Sequence, residues 1–483
     1  MEELIYPFKT KPYDHQRTAL NRSWECKEYA LFMEMGTGKS KVLIDNIAVL
    51  YDRGYINAAL IIAPKGVYRN WELNELPAHL PNHILANMVV WNPTNTKTQQ
   101  RILDTLFEYP NEDLKILLMN VEALSTKKGA MFAEKFLKCN KVLFAIDEST
   151  TIKNHKAKRT KTVLALSEHA KCRRILTGMP VTKNPMDLFT QCNFLDPDLL
   201  GYSSFYAFQG RYADTIRRKG AGGFHEYNHV IGYRNLDELE KTLKKFSYRV
   251  LKQDCLDLPD KIYTTRVIQL TEQQKKLYLQ MKHFALAELK GRTMTSFNVL
   301  TQVMRLHQII CGFMKTDEGR IIDVENTRVQ ELLNVLDETE GKAIIWCTYR
   351  HNILSLKDIL KEKYGELSTD TLFGDTPDKK RMTLVERFQD KESPFRFLVG
   401  NPQTGGRGLT LTAANTVIYY SNGYDLEIRL QSEDRAHRIG QTNKVLYVDI
   451  VAEKTVDEKI IKALKSKINI AKEIMGEELK SWI

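Results

Sequence analysis

Ala30-Leu31-Phe32-Met33-Glu34-Met35-Gly36-Thr37-Gly38-Lys39-Ser40-Lys41-Val42-Leu43-Ile44 is the stretch on which the fold turns. Four apolar residues, a turn punctuated by two glycines and an amphipathic continuation predict strand, tight loop and helix. Glycines let successive backbone N–H groups close around phosphate oxygens, and the following helix turns its positive end toward the same anion. Met35, Gly36, Thr37 and Gly38 would form the cradle, Lys39 would reach the β- and γ-phosphates of ATP, and the Ser40 hydroxyl would bind Mg²⁺. The strict pattern has glycine where this chain has Met33. Taken alone, the segment also reads as a glycine-rich turn before a helix.

About a hundred residues on, Val142-Leu143-Phe144-Ala145-Ile146 runs straight into Asp147-Glu148. An apolar strand ending in two acids puts both carboxylates at the carboxyl edge of a parallel sheet, beside the phosphate loop. Asp147 is the candidate metal ligand, and Glu148 is the candidate base for the attacking water. Far downstream lies Gln431-Ser432-Glu433-Asp434-Arg435-Ala436-His437-Arg438. On a helix, Arg435 and Arg438 share a face with Gln431, so both guanidinium groups can serve one γ-phosphoryl group. The competing reading is a solvent-exposed helix whose arginines pair with Glu433 and Asp434.

Outward from these motifs, short apolar runs alternate with amphipathic stretches: Ala58 to Ala63, Ile116 to Met119 and Arg174 to Leu176, then Ala343 to Cys347, Phe397 to Val399, Thr416 to Tyr420 and Val445 to Val451. The alternation predicts an α/β fold with two parallel-sheet lobes. Between them, residues 201 to 335 read mainly as helix, broken by a glycine- and arginine-rich stretch at Arg217 to Gly223, with a hinge at Leu258-Pro259-Asp260. The expected boundaries are a first lobe over 1–200, a helical extension and hinge over 201–262, a helical insertion over 263–335, a second lobe over 336–455 and a bracing helix over 456–483.

The 483 residues carry 71 Lys+Arg against 60 Asp+Glu, a net charge of +11. Residues 151–300 hold 26 basic and 14 acidic residues, so the excess belongs to the middle of the chain. A surface facing a polyanion and a solvated helix face both account for it. No run of eighteen apolar residues occurs and the N-terminus has no signal-like apolar stretch, so an intracellular protein without a membrane partner is expected. Seven scattered cysteines without a Cys-x-x-Cys pair are expected to be free thiols rather than metal ligands.

Together the motifs resemble helicase superfamily two, and within it the Swi/Snf-type branch of DNA translocases. Pro12-Tyr13-Asp14-His15-Gln16 is similar to the Q motif, which implies that Gln16 recognises adenine. Ile61-Ile62-Ala63-Pro64-Lys65 with Asn70-Trp71 resembles a DNA-facing motif, and Leu176-Thr177-Gly178-Met179-Pro180 the motif that couples hydrolysis to movement through Thr177 and Gly178. Asp147-Glu148-Ser149-Thr150-Thr151-Ile152-Lys153-Asn154 resembles the acidic box. Ile344 to Thr348, Phe373-Gly374-Asp375-Thr376, Thr404 to Leu411 and Asp434 to Gln441 continue the likeness.

The resemblance implies two RecA-like lobes with helical insertions, ATP and Mg²⁺ as cofactors, and catalysis by Lys39, Glu148, Arg435 and Arg438, with Gln431 at the nucleotide. It also implies movement along double-stranded DNA, gripped without sequence preference at its phosphates by Lys65, Arg69, Asn70, Tyr349, Arg350, Thr404 and Arg407. Lys153, Lys156, Lys158 and Arg159 would add basic surface. Where the family's acidic box ends Ala-His, this chain has Ser149-Thr150, so coupling is expected to run through hydroxyls or another residue. At 483 residues no reader module is expected beside the two lobes, and a compact phage, viral or bacterial-type motor is the expected kind. A strand-separating or branch-migrating helicase would use the same lobes, and a non-catalytic DNA-binding scaffold would show a missing catalytic residue.

Overall fold

In the computed structural model, which describes residues 4–64, 67–93, 96–107, 113–219, 226–291, 296–316, 318–405 and 409–475, two parallel sheets each organise a compact unit. The first unit comprises Met1–Asp214, Gly232–Asp257 and Ile470–Glu478, and the second comprises Thr215–Ile231, Leu258–Asn469 and Leu479–Ile483.

In the first unit the strands are β1 (Glu28–Met33), β2 (Ala58–Ala63), β3 (Ala86–Val90), β4 (Leu114–Asn120), β5 (Val142–Asp147) and β6 (Cys172–Leu176). After β7 (Ala213–Lys219) and β8 (Glu226–Tyr233), the short β9 (Ser247–Val250) returns to the sheet, whose order is β3-β4-β2-β5-β6-β1-β9. Every pair in it is parallel. Parallel strands covered on both faces are continuously apolar, and β2 and β5 are buried along their whole length. The register does most to build the site. Leu31 of β1 and Asp147 of β5 both lie level with Leu176 of β6, so the loops that follow these strands start at one height on one edge.

Arg174, fully buried in β6, ties this layer to the helices around it. Its guanidinium donates to the carbonyls of Ser23 (2.7 Å), Cys26 (2.7 Å), Lys27 (3.1 Å) and Arg173 (2.8 Å), and to Asn46 Oδ1 (2.9 Å). Ser23 ends the helix Asp14–Ser23, whose last carbonyls lack helical partners, and Asn46 lies on the helix Lys39–Asp52 that follows the phosphate loop. Burial pushes the arginine below its ordinary range, opposed by nearby groups that include the Glu28 carboxylate.

The second unit contains β10 (Lys261–Ile268), β11 (Phe313–Lys315), β12 (Ile321–Asp323), β13 (Lys342–Trp346), β14 (Thr369–Leu372), β15 (Phe397–Gly400), β16 (Ala414–Tyr419) and β17 (Val445–Ala452). Its main sheet has the order β10-β17-β16-β13-β15-β14, again parallel throughout. Successive residues of β13 enter different cores: Ile345 packs with Val399 and Ile418, and Ile344 and Trp346 with Leu398 and Val417. That alternation is the period-two geometry of a strand.

Among the described residues, the region 201–335, expected to be mainly helical, also holds six strands, β7 to β12. The long helices Glu272–Gly291 and Ser296–Ile310 are there. Ser-Tyr-Arg-Val and Lys-Ile-Tyr-Thr-Thr-Arg-Val-Ile, however, become edge strands of the two sheets, where pairing with β1 and β17 overrides weak local signals. The chain passes between the two units more than once, and one of these crossings falls between Asp257 and Leu258. The seven cysteines are all free, four of them buried, and no helix among the described residues is long and apolar enough to cross a membrane.

Candidate functional site

The phosphate loop leaves β1 through two glycines in the left-handed region, Gly36 (φ 79°) and Gly38 (φ 89°). Lys39 opens the helix Lys39–Asp52 and is buried, its Nζ 3.3 Å from the Glu34 carbonyl. Thr37 Oγ1 donates to the same carbonyl at 2.7 Å. Gln16 does not hang free near the loop. Its Oε1 accepts from the Tyr13 N–H at 3.0 Å and its Nε2 donates to the Thr37 carbonyl at 3.0 Å, with His15 Nε2 on that carbonyl at 2.7 Å.

A side chain at position 38 would collide with this arrangement, because a Cβ there would lie 2.1 Å from Gln16 Nε2. Gly38→Ala therefore adds about 1–2 kcal/mol of left-handed backbone strain to a displaced Gln16. The expected result is ATP binding about tenfold weaker with a lowered Tm, read by titration with a fluorescent nucleotide and by thermal melting; affinity and Tm equal to wild type would refute the packing argument.

Asp147, at the end of β5, is almost fully buried. Its Oδ2 accepts from Trp71 Nε1 at 2.9 Å and its Oδ1 from the Glu148 N–H at 3.0 Å. Burial raises its pKa above the ordinary value, opposed by the Trp71 bond, the charge of Lys39 and the Glu148 N–H. Trp71, expected as part of a DNA-facing motif, is thus also a partner of this carboxylate. It opens Trp71–Glu75, a π-helical turn of the widened kind frequent at functional sites. Glu148 adopts φ 51° and ψ 62°, one of three non-glycine residues with positive φ among those described. A glutamate held in this region stores backbone strain, and such strain concentrates at working sites.

Thr177 and Gly178 follow β6, between the other two loops. The Thr177 hydroxyl accepts from the Met179 N–H at 3.1 Å. A Cβ on Gly178 would lie 3.1 Å from the Met35 backbone nitrogen, so the bare glycine permits the segment after β6 to pack on the loop after β1. Arg249 of β9, which carries no motif signature, donates to the carbonyls of Gly178 (2.8 Å) and Phe32 (3.1 Å) and so spans both segments.

In the second unit the helix Leu426–Glu433 ends before the arginines. Arg435 and Arg438 lie in the turns beyond it, not on a helical face as expected. They converge for another reason: Arg435 donates to the carbonyls of Gln431 (3.0 Å) and Leu409 (3.0 Å), and Arg438 reaches the Leu409 carbonyl at 3.4 Å. Gln431 is buried on the helix, its Nε2 3.3 Å from Glu427 Oε1.

The competing picture of a solvent-exposed salt-bridged helix is overturned at Glu433, which is fully buried. Glu433 accepts from Arg429 Nε (2.8 Å), Tyr263 (2.8 Å) and Lys261 (3.2 Å). Arg429 in turn pairs with Asp449 and Asn422 Oδ1. Buried charges persist only when paired and hydrogen-bonded, and this cluster fixes the helix that delivers the arginines.

Among the candidate DNA contacts, Arg69 is exposed, while Asn70 is bonded within its own helix to Glu75 and Asn74. Tyr349 bonds His307 Nδ1 at 2.8 Å, Arg350 pairs with Asp375 at 2.5 Å and lies over the Phe373 ring, and the half-buried Thr404 follows β15. Lys65 and Arg407, and the stretch from Gly220 to Gly223, lie outside the described residues. In the basic run, Lys153 donates to Thr182 Oγ1 at 2.6 Å and Arg159 pairs with Glu122, while Lys156 and Lys158 are exposed.

A family model described as SNF2-related domain matches residues 15–313, and one described as helicase conserved C-terminal domain matches residues 326–440. The chain is 27% identical over 457 residues to a SWI/SNF chromatin-remodeling complex subunit of Schizosaccharomyces pombe, covering 90% of this chain and 26% of that protein. It is 26% identical over 456 residues to an uncharacterized ATP-dependent helicase of Mycoplasma genitalium, covering 92% and 40%. The chain thus spans less than half the length of these curated relatives. Among solved structures, the Sulfolobus solfataricus SWI2/SNF2 ATPase core in complex with dsDNA is 24% identical with a TM-score of 0.45, covering 98% of this chain and 95% of that one.

Proposed function

This chain belongs to the SNF2-related domain family, and from that premise we propose that it is an ATP-dependent translocase that moves along double-stranded DNA and remodels or displaces what is bound there. The observation that carries the reading is the meeting of three loops at one sheet edge: the Lys39 loop, the Asp147-Glu148 pair with its strained backbone, and Thr177-Gly178 packed on the loop. A DNA-binding scaffold would have no need to retain the whole set.

In this proposal Lys39 and the loop hold the phosphates of ATP, Glu148 takes the proton of the attacking water, and Arg435 and Arg438 stabilise the charge spreading over the transferred group. The donor set fits Mg²⁺: a buried carboxylate at Asp147, whose charge burial disfavours, and the Ser40 hydroxyl are hard oxygen donors. When bound, the ion would neutralise charge between the β- and γ-phosphates. Trp71 and the Glu148 N–H orient the Asp147 carboxylate toward that task. Asp375 would have to release Arg350 to phosphate, an exchange of one oxyanion for another.

The test is the ATPase rate with no nucleic acid, single-stranded DNA, duplex DNA, forked DNA and RNA, beside a triplex-displacement assay. Duplex-stimulated hydrolysis with third-strand displacement and no unwinding is expected. Separation of the fork would replace translocation by strand separation, and a rate indifferent to nucleic acid would remove the motor. Because the proposed grip is on phosphates, duplex affinity should fall on the order of a thousandfold between about 50 and 200 mM salt; a flat salt dependence in a fluorescence-anisotropy titration would refute the phosphate grip.

A further inference from the structure

The acidic box of this chain continues Asp147-Glu148-Ser149-Thr150, and Ser149 opens the short 3-10 helix Ser149–Ile152. It is fully buried, and its hydroxyl donates to Gln191 Oε1 at 2.6 Å. Gln191, also fully buried, lies on the helix Asp187–Leu195. Its amide nitrogen donates to the Pro180 carbonyl at 2.7 Å and the Asp187 carbonyl at 2.7 Å. One acceptor and two N–H donors are thus all engaged, in a place where any orphaned atom would be costly. Gln191 bridges the residue next to Glu148 to the residue two beyond Gly178.

A second route runs beside the first. Asp187 Oδ2 accepts from the Thr182 N–H (3.0 Å), the Thr182 hydroxyl (3.0 Å) and the Lys183 N–H (2.7 Å). Thr182 Oγ1 in turn accepts from Lys153 Nζ at 2.6 Å, and Thr190 Oγ1 donates to the Ile152 carbonyl at 2.6 Å. Residues 149–153 and 180–183 are therefore both fastened to one turn and a half of the helix that begins at Asp187. A buried network with every member satisfied is stiff, so a shift at one end is passed on rather than absorbed.

We propose that Gln191 is the positioning residue through which the state of Glu148 is transmitted, by way of Ser149, to the coupling segment Thr177–Pro180. The inference rests on the translocase reading above. Ser149 moves with its neighbour Glu148, whose backbone is already strained. The Gln191 amide cannot follow Ser149 without altering its bond to Pro180, and Gly178 carries any displacement of that segment onto the backbone of Met35.

Ser149→Ala, Gln191→Leu, the double variant and the near-isosteric Gln191→Glu test this, each scored by the ratio of duplex-stimulated to unstimulated ATP turnover and by Tm. The ratio should fall about tenfold in each single variant, within the range that residues along a coupling network reach, with the KM for ATP little changed. The double variant should lose no more than either of its parents, although its Tm recovers in part because both members of the buried bond are gone. Gln191→Glu keeps the acceptor for Ser149 and loses the N–H donors for the Pro180 and Asp187 carbonyls, so it should lose stimulation too. Ratios within twofold of wild type, or a ratio that tracks Tm and recovers with it in the double variant, would overturn the proposal. A wild-type chain that duplex DNA does not stimulate overturns both this inference and the translocase reading, whereas a stimulated wild type with equally stimulated variants overturns only this one.

Discussion

Replacing Arg435 by alanine is expected to lower kcat for duplex-stimulated ATP hydrolysis by about 10³- to 10⁵-fold, the range for an arginine that stabilises phosphoryl-transfer charge. Arg435 is buried and held by the carbonyls of Gln431 and Leu409. Its position is therefore fixed before any phosphate arrives, and little ordering remains to be done at the moment of reaction. Truncation also leaves two carbonyls a bond short, at about 1–3 kcal/mol for a buried acceptor, so a melting curve must accompany the kinetics. Arg435→Lys keeps the charge without the planar fork and should recover little of the rate. Arg438, half-buried and at 3.4 Å from the shared Leu409 carbonyl, should give a smaller loss when truncated. A folded Arg435→Ala protein that turns over within tenfold of wild type would remove this arginine from the reaction.

Glu148→Gln should reduce turnover by about 10²- to 10⁴-fold, the contribution of a positioned general base, with ATP and duplex affinity near wild type. The substitution suits the question because size and shape hardly change, and glutamine meets the left-handed backbone with the same side-chain bulk. What disappears is the carboxylate. Single-turnover hydrolysis with bound nucleotide measured separately divides the chemical step from binding and release. Near-normal hydrolysis would place the base elsewhere.

Much of this was legible in the residues. The runs Ala58 to Ala63 and Val142 to Ile146 announce central parallel strands because a strand covered on both faces has no polar side to show. Gly36 and Gly38 announce the loop because few other residues tolerate φ near +80°. Arg435 and Arg438 have helical spacing, but Asp434 starts a run of turns, and the arginines converge instead on the Leu409 carbonyl. In the segment 201–335 the four-residue β9 and the edge strand β10 leave little local signal, because they form by pairing with β1 and β17.

By itself the sequence determined the class of fold, the phosphate loop, the acidic pair at a strand end and the order of the motifs. These rest on periodicity and on backbone preferences that act within about ten residues. Only the tertiary structure decided that β6 lies between β5 and β1, that the distant Trp71 joins the adjacent Glu148 N–H in holding Asp147, that Arg249 bonds the carbonyls of Phe32 and Gly178, and that Gln191 answers Ser149. Trp71 and Asp147, Arg249 and Gly178, and Gln191 and Ser149 stand 76, 71 and 42 residues apart. A hydrogen bond across such a distance leaves no period in the chain; it follows from the order of strands and the register between them, which many residues settle jointly.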